Sequence, residues 1–311
     1  MIRQSKYYAA ALALVMVMGG CKKTEYKMGD LVAPSDIVIN TEIVGQDATN
    51  PDGDGSGDVK ISLTGNNVLS WKIDYNANDG INLEHLPSGS VTRKYTTIGL
   101  NTYRITVVAY GPGATSTTVT KNIQVRSTFS PPADVVNNLV GTGSKSWKVN
   151  KDIPAHFGVG PWSATSVTPE WWSAAPNEKV ACCNCFYTST FTFTKDAGGN
   201  YSLTVASPDG AFTKTGALAG GLPGIPGGGD EGCYSYGGGS TPFSFVPSSS
   251  GIPASTPSTK TAILLGGNTT YIGYGAVLKE YEILSITPTS MELRVQGTET
   301  GNAWYMKLIA Q

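Results

Sequence analysis

The chain has little charge. Of its 311 residues only 14% are Asp, Glu, Lys or Arg, with 22 basic against 23 acidic side chains and a formal net charge of −1. Globular proteins usually carry about 25%. No basic block stands out, so electrostatic capture of a nucleic acid has no source. Histidine is scarcer still, at two residues. The motifs of covalent hydrolysis are missing: there is no Gly-x-Ser-x-Gly elbow and no Ser-His-Asp spacing. Gly141-Thr-Gly-Ser-Lys-Ser146 lacks the joined Gly-Lys-Ser of a phosphate loop, because Ser144 interrupts it. Carboxylates for glycosidase work are present (Asp152, Glu170, Glu178, Asp230, Glu231, Glu280 and Glu282), but no strand carries the Glu-x-Asp-x-x-Glu pattern, and Glu280-Tyr-Glu282 is the nearest approach. The expectation is a protein that is not an enzyme and needs no cofactor.

Glycine and proline are abundant instead, 38 and 18 residues, a composition of strands and turns. The single long apolar run, Ala9 to Met18, is shorter than the roughly 20 residues that span a bilayer. It follows the basic Arg3 and Lys6 and ends in Gly19-Gly20-Cys21. This resembles the lipobox of bacterial lipoproteins, which implies a signal peptide over residues 1–20, cleavage before Cys21, acylation of Cys21 and a membrane anchor made of lipid. The polar stretch from Cys21 to Ser35 then reads as a tether.

From residue 36 to 127 short alternating runs recur between turn clusters: Ile37 to Ile43, Val59 to Leu63, Leu69 to Ile73, Thr102 to Ala109 and Thr117 to Val125. That is the pattern of an antiparallel sandwich. The run Val91-Thr-Arg-Lys-Tyr-Thr-Thr-Ile-Gly-Leu-Asn-Thr-Tyr103, followed by an alternating strand and preceded by Leu69-Ser-Trp-Lys-Ile73, resembles the PKD domain. The resemblance implies an Ig-like sandwich acting as a spacer, with Trp71 in its core. Within it, Asp52, Asp54, Ser56 and Asp58 offer oxygens at alternate positions, as in the first half of a calcium loop. The bidentate Glu of such a loop is replaced by Leu63, which favours the alternative of a Gly-rich Asp turn. Calcium is the one ion for which there is a candidate.

Pro131-Pro132 within residues 128–133 reads as a hinge. Asp134 to Val140 reads as a two-turn helix with Asp134 at the N-cap and Gly141 closing it. Residues 134–311 then return to strands: Ser146 to Val149, Tyr187 to Thr194, Asn200 to Val205, Ala262 to Leu265, Tyr281 to Ile286, Ser290 to Val295 and Ala303 to Leu308. Seven or more strands suffice for a second sandwich or a closed barrel. The fold class expected is all-β, with a PKD-like (Ig-like) β-sandwich over residues 36–127 followed by a larger lectin-like β-sandwich over residues 134–311.

Three of the six tryptophans, Trp162, Trp171 and Trp172, fall within eleven residues of a Gly- and Pro-rich segment running from His156 to Glu178. Indole faces on a loop are costly in water unless something covers them. A sugar ring, apolar on its C–H face and hydroxylated at its rim, fits indoles flanked by His156, Glu170, Asn177 and Glu178. Of the adjacent pair Trp171 and Trp172, one is expected to point inward. Trp147 and Trp304 sit on apolar strands and are expected in the core. Ser146-Trp-Lys-Val149, His156-Phe-Gly-Val-Gly-Pro161, Trp171 to Lys179 and the closing Ala303-Trp-Tyr-Met-Lys-Leu308 resemble the C-terminal module of Bacteroidota surface glycan-binding lipoproteins. That resemblance implies a lectin-like β-sandwich binding polysaccharide (a β-glucan such as laminarin first) at the outer surface, alongside a SusC/SusD-like transporter. The alternative is an adhesion lipoprotein whose aromatic loop binds a protein.

Apart from Cys21, the cysteines are Cys182, Cys183, Cys185 and Cys233. Zinc sites avoid adjacent cysteines. Disulfides are the preferred reading, with Cys233 joined to one of the other three and the glycine-rich loop 216–239 stapled thereby.

Overall fold

A computed structural model describes residues 31–311. Cys21 and the segment before residue 31 lie outside the described residues. Contacts divide the described residues into two units: those up to Glu42, Lys60–Arg93 and Tyr103–Ile123 form one, and Ile43–Val59, Lys94–Thr102 and Gln124–Gln311 the other.

Seven strands precede residue 128: β1 (Ser35–Ile43), β2 (Asp58–Asn66), β3 (Ser70–Asp74), β4 (Glu84–His85), β5 (Ser90–Lys94), β6 (Gly99–Tyr110) and β7 (Ser116–Ser127). They form two sheets, in the orders β1-β2-β5 and β4-β3-β6-β7. Alternation puts Val59 and Ile61 of β2, Ile73 of β3, Ile105 and Val107 of β6 and Val125 of β7 out of solvent, which is the Ig-like core expected. Tyr95 and Tyr103 of the PKD-like run are buried too. Trp71 is only half-buried, so the aliphatic residues carry more of this core than expected.

The second unit holds β8 (Ser144–Val149), β9 (Phe157–Pro161), β10 (Trp172–Ser173), β11 (Thr190–Lys195), β12 (Tyr201–Ala206), β13 (Ala211–Thr213), β14 (Gly232–Tyr234), β15 (Gly239–Pro247), β16 (Thr261–Leu265), β17 (Val277–Ile286), β18 (Ser290–Gly297) and β19 (Asn302–Ala310). Strands β13 and β14 pair with each other. The remaining ten make one antiparallel sheet. Eight of them, β8, β11, β12, β15, β16, β17, β18 and β19, each pair with the next, and β19 pairs back to β8. The sheet is closed. The eight strands thus close on themselves, and the two-residue β10 is left as the sheet's free end.

Closure happens at Trp147. Its residue is opposite Phe191 of β11 on one side and Ala310 of β19 on the other. The side chain has no exposed surface, and its indole Nε1 donates to the Leu139 carbonyl at 3.0 Å. That carbonyl belongs to the helix Ala133–Val140, whose Val135, Val136, Leu139 and Val140 are buried. Asp134 is not the N-cap as expected; Pro132 takes that place, and Asp134 lies in the first turn. Pro at the helix entrance costs nothing because the first N–H groups have no intrahelical acceptor. Gly141 closes the helix at φ +59, its N–H donating to Asn137. The interior is filled by inward residues of every barrel strand, among them Phe191, Phe193, Leu203, Ile263, Tyr281, Leu293 and Trp304.

The expected strand from Tyr187 begins later. Residues Val180–Cys183 and Cys185–Thr188 are single helical turns, and β11 starts at Thr190. Burial of Cys185, Phe186 and Tyr187 against the core overrides the β-propensity of that run.

Because Trp147 joins the seam and is fully buried, Trp147→Ala should lower the unfolding free energy by about 3–5 kcal/mol, as truncation of large core residues does. Urea denaturation followed by far-UV circular dichroism measures this, and an unchanged midpoint would contradict the seam's importance.

Candidate functional site

The segment 156–178 leaves the barrel at its seam and returns along it. β9 pairs with Asn302–Met306 of β19 on the same edge that, further along, takes β8. β10 pairs with β9, Trp172 opposite Val159. The loop is thus pinned backbone on a rigid sheet, which is what a stacking platform requires.

His156 was expected to face a ligand, and here the structure corrects the sequence reading. The residue has no exposed surface. Its Nδ1 lies 2.8 Å from the Ile153 carbonyl and its Nε2 2.7 Å from the Tyr187 hydroxyl. A carbonyl only accepts, so Nδ1 carries the proton and Nε2 accepts from Tyr187. The Tyr187 oxygen in turn accepts from the Lys179 N–H at 3.1 Å. Burial, the largest influence, pushes the imidazole below its ordinary 6.5, against the Ile153 hydrogen bond and Glu178, which raise it. His156 is a neutral fastener of the loop.

Trp162 is half-buried, not free. The Arg294 guanidinium lies 4.4 Å from its ring centroid. Arg294 pairs with Glu282 at 3.3 Å, and these side chains are 0% and 1% exposed. Glu282 also accepts from the Ser258 hydroxyl at 2.8 Å, and Arg294 donates to the Ser163 carbonyl. The pair lies on the barrel face turned away from the main core, where Ile252, Leu284, Ala303 and Tyr305 form a second cluster with Trp162 and Val167 packed on it. An ion pair out of water needs solvent excluded and its remaining groups met, and here the Arg294 Nε is buried without a hydrogen-bond partner. Trp162 supplies the exclusion and a cation–π contact.

Trp172 is half-buried as well. It meets Phe157 edge-on, centroids 5.8 Å apart, and Lys179 Nζ lies 5.1 Å from its ring centroid. Trp171 is 58% exposed, while its N–H donates to Val159 at 3.0 Å. The adjacent pair is thus divided, Trp172 packed and Trp171 exposed. Glu170, the preceding residue, and Asn177 further along the segment are exposed. Asn177 adopts φ +60 in a turn, where its N–H donates to Lys151. Glu178 accepts the Ala175 N–H at 2.5 Å and so caps that turn. Of the seven candidates, Trp171, Glu170, Asn177 and Glu178 present exposed surface, Trp172 part of a face, and His156 and Trp162 hold the loop.

The sequence reading missed a cluster at Lys179. Its ammonium lies among the rings of Phe157, Trp172 and Phe212 and 3.6 Å from Glu231. Glu231 also accepts from the Tyr274 hydroxyl at 2.5 Å. Burial above all, then Glu231, raises the Tyr274 hydroxyl far above its ordinary range. Residues 179, 231 and 274 have no sequence spacing in common, so nothing short of the fold groups them.

Cys233 is joined to Cys185, while Cys182 and Cys183 are free. The bridge ties β14, and so the glycine-rich loop, to the turn that follows Lys179. Of the calcium candidates, Asp52 pairs with Arg126 at 3.3 Å, Asp58 pairs with Lys94 at 2.8 Å, and Asp54 accepts the Ser56 N–H. No group of three ligand-type side chains forms among the described residues. The run turns at Gly53, Gly55 and Gly57, all at positive φ; at Gly57 a Cβ would collide with the Tyr95 carbonyl.

No family model matches the chain, and no curated protein matches it. Among solved structures, it is similar to the PKD1 domain of Vibrio anguillarum Epp at 17% identity and TM-score 0.22, over 32% of this chain and 99% of that one. It is also similar to a structure described as carbohydrate-binding modules of the β-sandwich superfamily with promiscuous specificity, at 8% identity and TM-score 0.24, over 91% of this chain and 92% of that one. Likenesses this weak say nothing about a ligand.

Two outcomes follow from the loop's geometry. Because His156 is held neutral with its affinity for protons lowered, the unfolded chain takes up the proton first as pH falls below about 6.5. Stability is therefore fully present above that value and declines below it; the decline between pH 6.5 and 5 in urea titrations should be shallower in His156→Gln. Trp162→Ala, which uncovers the Arg294–Glu282 pair, should cost about 1–3 kcal/mol of unfolding free energy by the same measurement. An unchanged value would make Trp162 a free platform.

Proposed function

We propose that this chain is a non-catalytic glycan-binding protein that captures polysaccharide on the face carrying Trp171. The observation that supports this reading is a 58% exposed indole on backbone already pinned by Val159 and by the β9–β10 pairing. Exposed apolar area on a fixed backbone gains from being covered and loses little chain entropy when it is. A pyranose face covers an indole, and the exposed Glu170 and Asn177 of the same segment offer partners for ring hydroxyls. The first ligand to try is a β-glucan such as laminarin. In this proposal residues 36–127 act as a spacer, the protein is held to the outer membrane by lipid on Cys21, and it serves a polysaccharide-utilisation system with a SusC/SusD-like transporter.

Native gels containing laminarin, lichenan, xyloglucan or mannan test it, run with residues 22–311. Retardation by at least one glycan is expected. Trp171→Ala should then weaken binding by about 1–3 kcal/mol, the scale of one large apolar face, with the melting temperature unchanged. Indifference to every glycan, or unaltered retardation of Trp171→Ala, overturns the reading and leaves the exposed indole to a protein partner.

A further inference from the structure

Three of the four cysteines of the second unit lie on one helical stretch. Cys182 and Cys183 close the turn Val180–Cys183, and Cys185 opens the turn Cys185–Thr188. Asn184 between them keeps right-handed helical angles, φ −60 and ψ −20. Cys182 and Cys185 are therefore three residues apart on a helical path and share a face. Side chains so placed have Cβ atoms about 5–6 Å apart, and a disulfide needs about 3.5–4.5 Å. The gap closes with a shift of about 1–2 Å at the interrupted turn. Cys182 is exposed, its Sγ turned back toward the Lys179 carbonyl at 3.8 Å, while Cys185 is buried and bridged to Cys233.

We propose that Cys182 is an exchange thiol: it attacks Cys185 and transfers the bridge from Cys185–Cys233 to Cys182–Cys185, releasing Cys233. The Cys182 thiol loses its proton to water, and the thiolate sulfur forms a bond to Sγ of Cys185. The Cys185–Cys233 bond breaks, its electron pair leaves on Sγ of Cys233, and that sulfur takes a proton from water. One thiol replaces another, so nothing is oxidised or reduced and no co-reactant is needed.

Cys183 is not the attacking group. Its side chain is buried, and burial, followed by its hydrogen bond to Cys182, pushes its thiol up to about 12, so it stays protonated where exchange runs. The released Cys233 lies on β14, which pairs only with the three residues of β13. The exchange would thus untie the segment that brings Glu231 to Lys179, and Lys179 is the cation lying against Trp172. The site is a device for loosening the glycine-rich loop at no redox cost, and it stands independently of any ligand.

Peptide mapping tests it directly. No Lys or Arg lies between Val180 and Phe193 or between Thr215 and Thr259, so trypsin yields the peptides Val180–Lys195 and Thr215–Lys260, joined by the native bridge. The full chain, purified without reductant, is incubated at pH 8.5, quenched in acid, alkylated with N-ethylmaleimide, digested and analysed by mass spectrometry. The two peptides are expected to come apart with time, the first carrying an internal disulfide and one label on Cys183, the second one label on Cys233. Separation should be roughly tenfold slower in Cys182→Ser and retained in Cys183→Ser. Peptides that stay joined at every time, or separate equally fast in Cys182→Ser, overturn the proposal.

Discussion

One short strand, β8, has to satisfy two partners, and most of the second unit follows from that demand. Its pairing is divided along its length, Ser144 to Trp147 opposite β11 and Trp147 to Val149 opposite β19. Trp147 is the residue common to both ladders. Its burial and its indole hydrogen bond to Leu139 fix the helix Ala133–Val140 against the same point. Since β8 covers only one end of β19, the rest of that edge needs another strand, and β9 supplies it by returning after residues 150–156. Unpaired backbone polar groups there would otherwise have no partner. His156 sits where the chain turns back, its carbonyl accepting from Lys307 and its ring fastened at both nitrogens.

The same geometry explains why aromatic residues concentrate on an irregular segment without all serving a ligand. Strands β17 and β18 place Glu282 and Arg294 opposite each other on the face turned away from the barrel interior. On that face charge is ordinary, but here it is covered, and covering it takes an element that is apolar yet tolerates a cation. An indole does both. The loop that carries Trp162 also offers the Ser163 carbonyl to Arg294, so the residues around the tryptophan are as much a part of the cover as the ring.

Alternation and turn clusters made the all-β class legible, because inward and outward residues of half-buried strands differ in polarity and strand ends favour Gly and Asn. Strands that lack such contrast were hidden. β15 contains Pro242 and Pro247, β9 is Phe-Gly-Val-Gly-Pro, and β10, β13 and β14 have two or three residues each. Closure was equally invisible, since no residue type marks a seam. Within the candidate site, the tryptophans could be found by composition, but their roles depend on what lies beneath them. Arg294 and Glu282 are more than a hundred residues from Trp162, and Glu231 is more than fifty from Lys179; no local pattern connects them.

What sequence could settle was that the adjacent pair divides. Trp172 is the first residue of β10 and Trp171 the bend residue before it, so the two neighbours part where the strand begins. Phe157, stacked on Trp304 within the core at 5.0 Å, takes the edge contact with Trp172. Trp171 is left outward whatever its own solvation preference. An indole in that position is not held out of the core for want of space elsewhere along the loop; it is held there because its neighbour is held in. Exposure of this kind persists in the free protein with the backbone already ordered, so a ligand covering Trp171 would meet a surface that needs no rearrangement before contact. The cost of presenting it falls on folding, where the core contacts of Phe157 and Trp172 offset it, and not on binding.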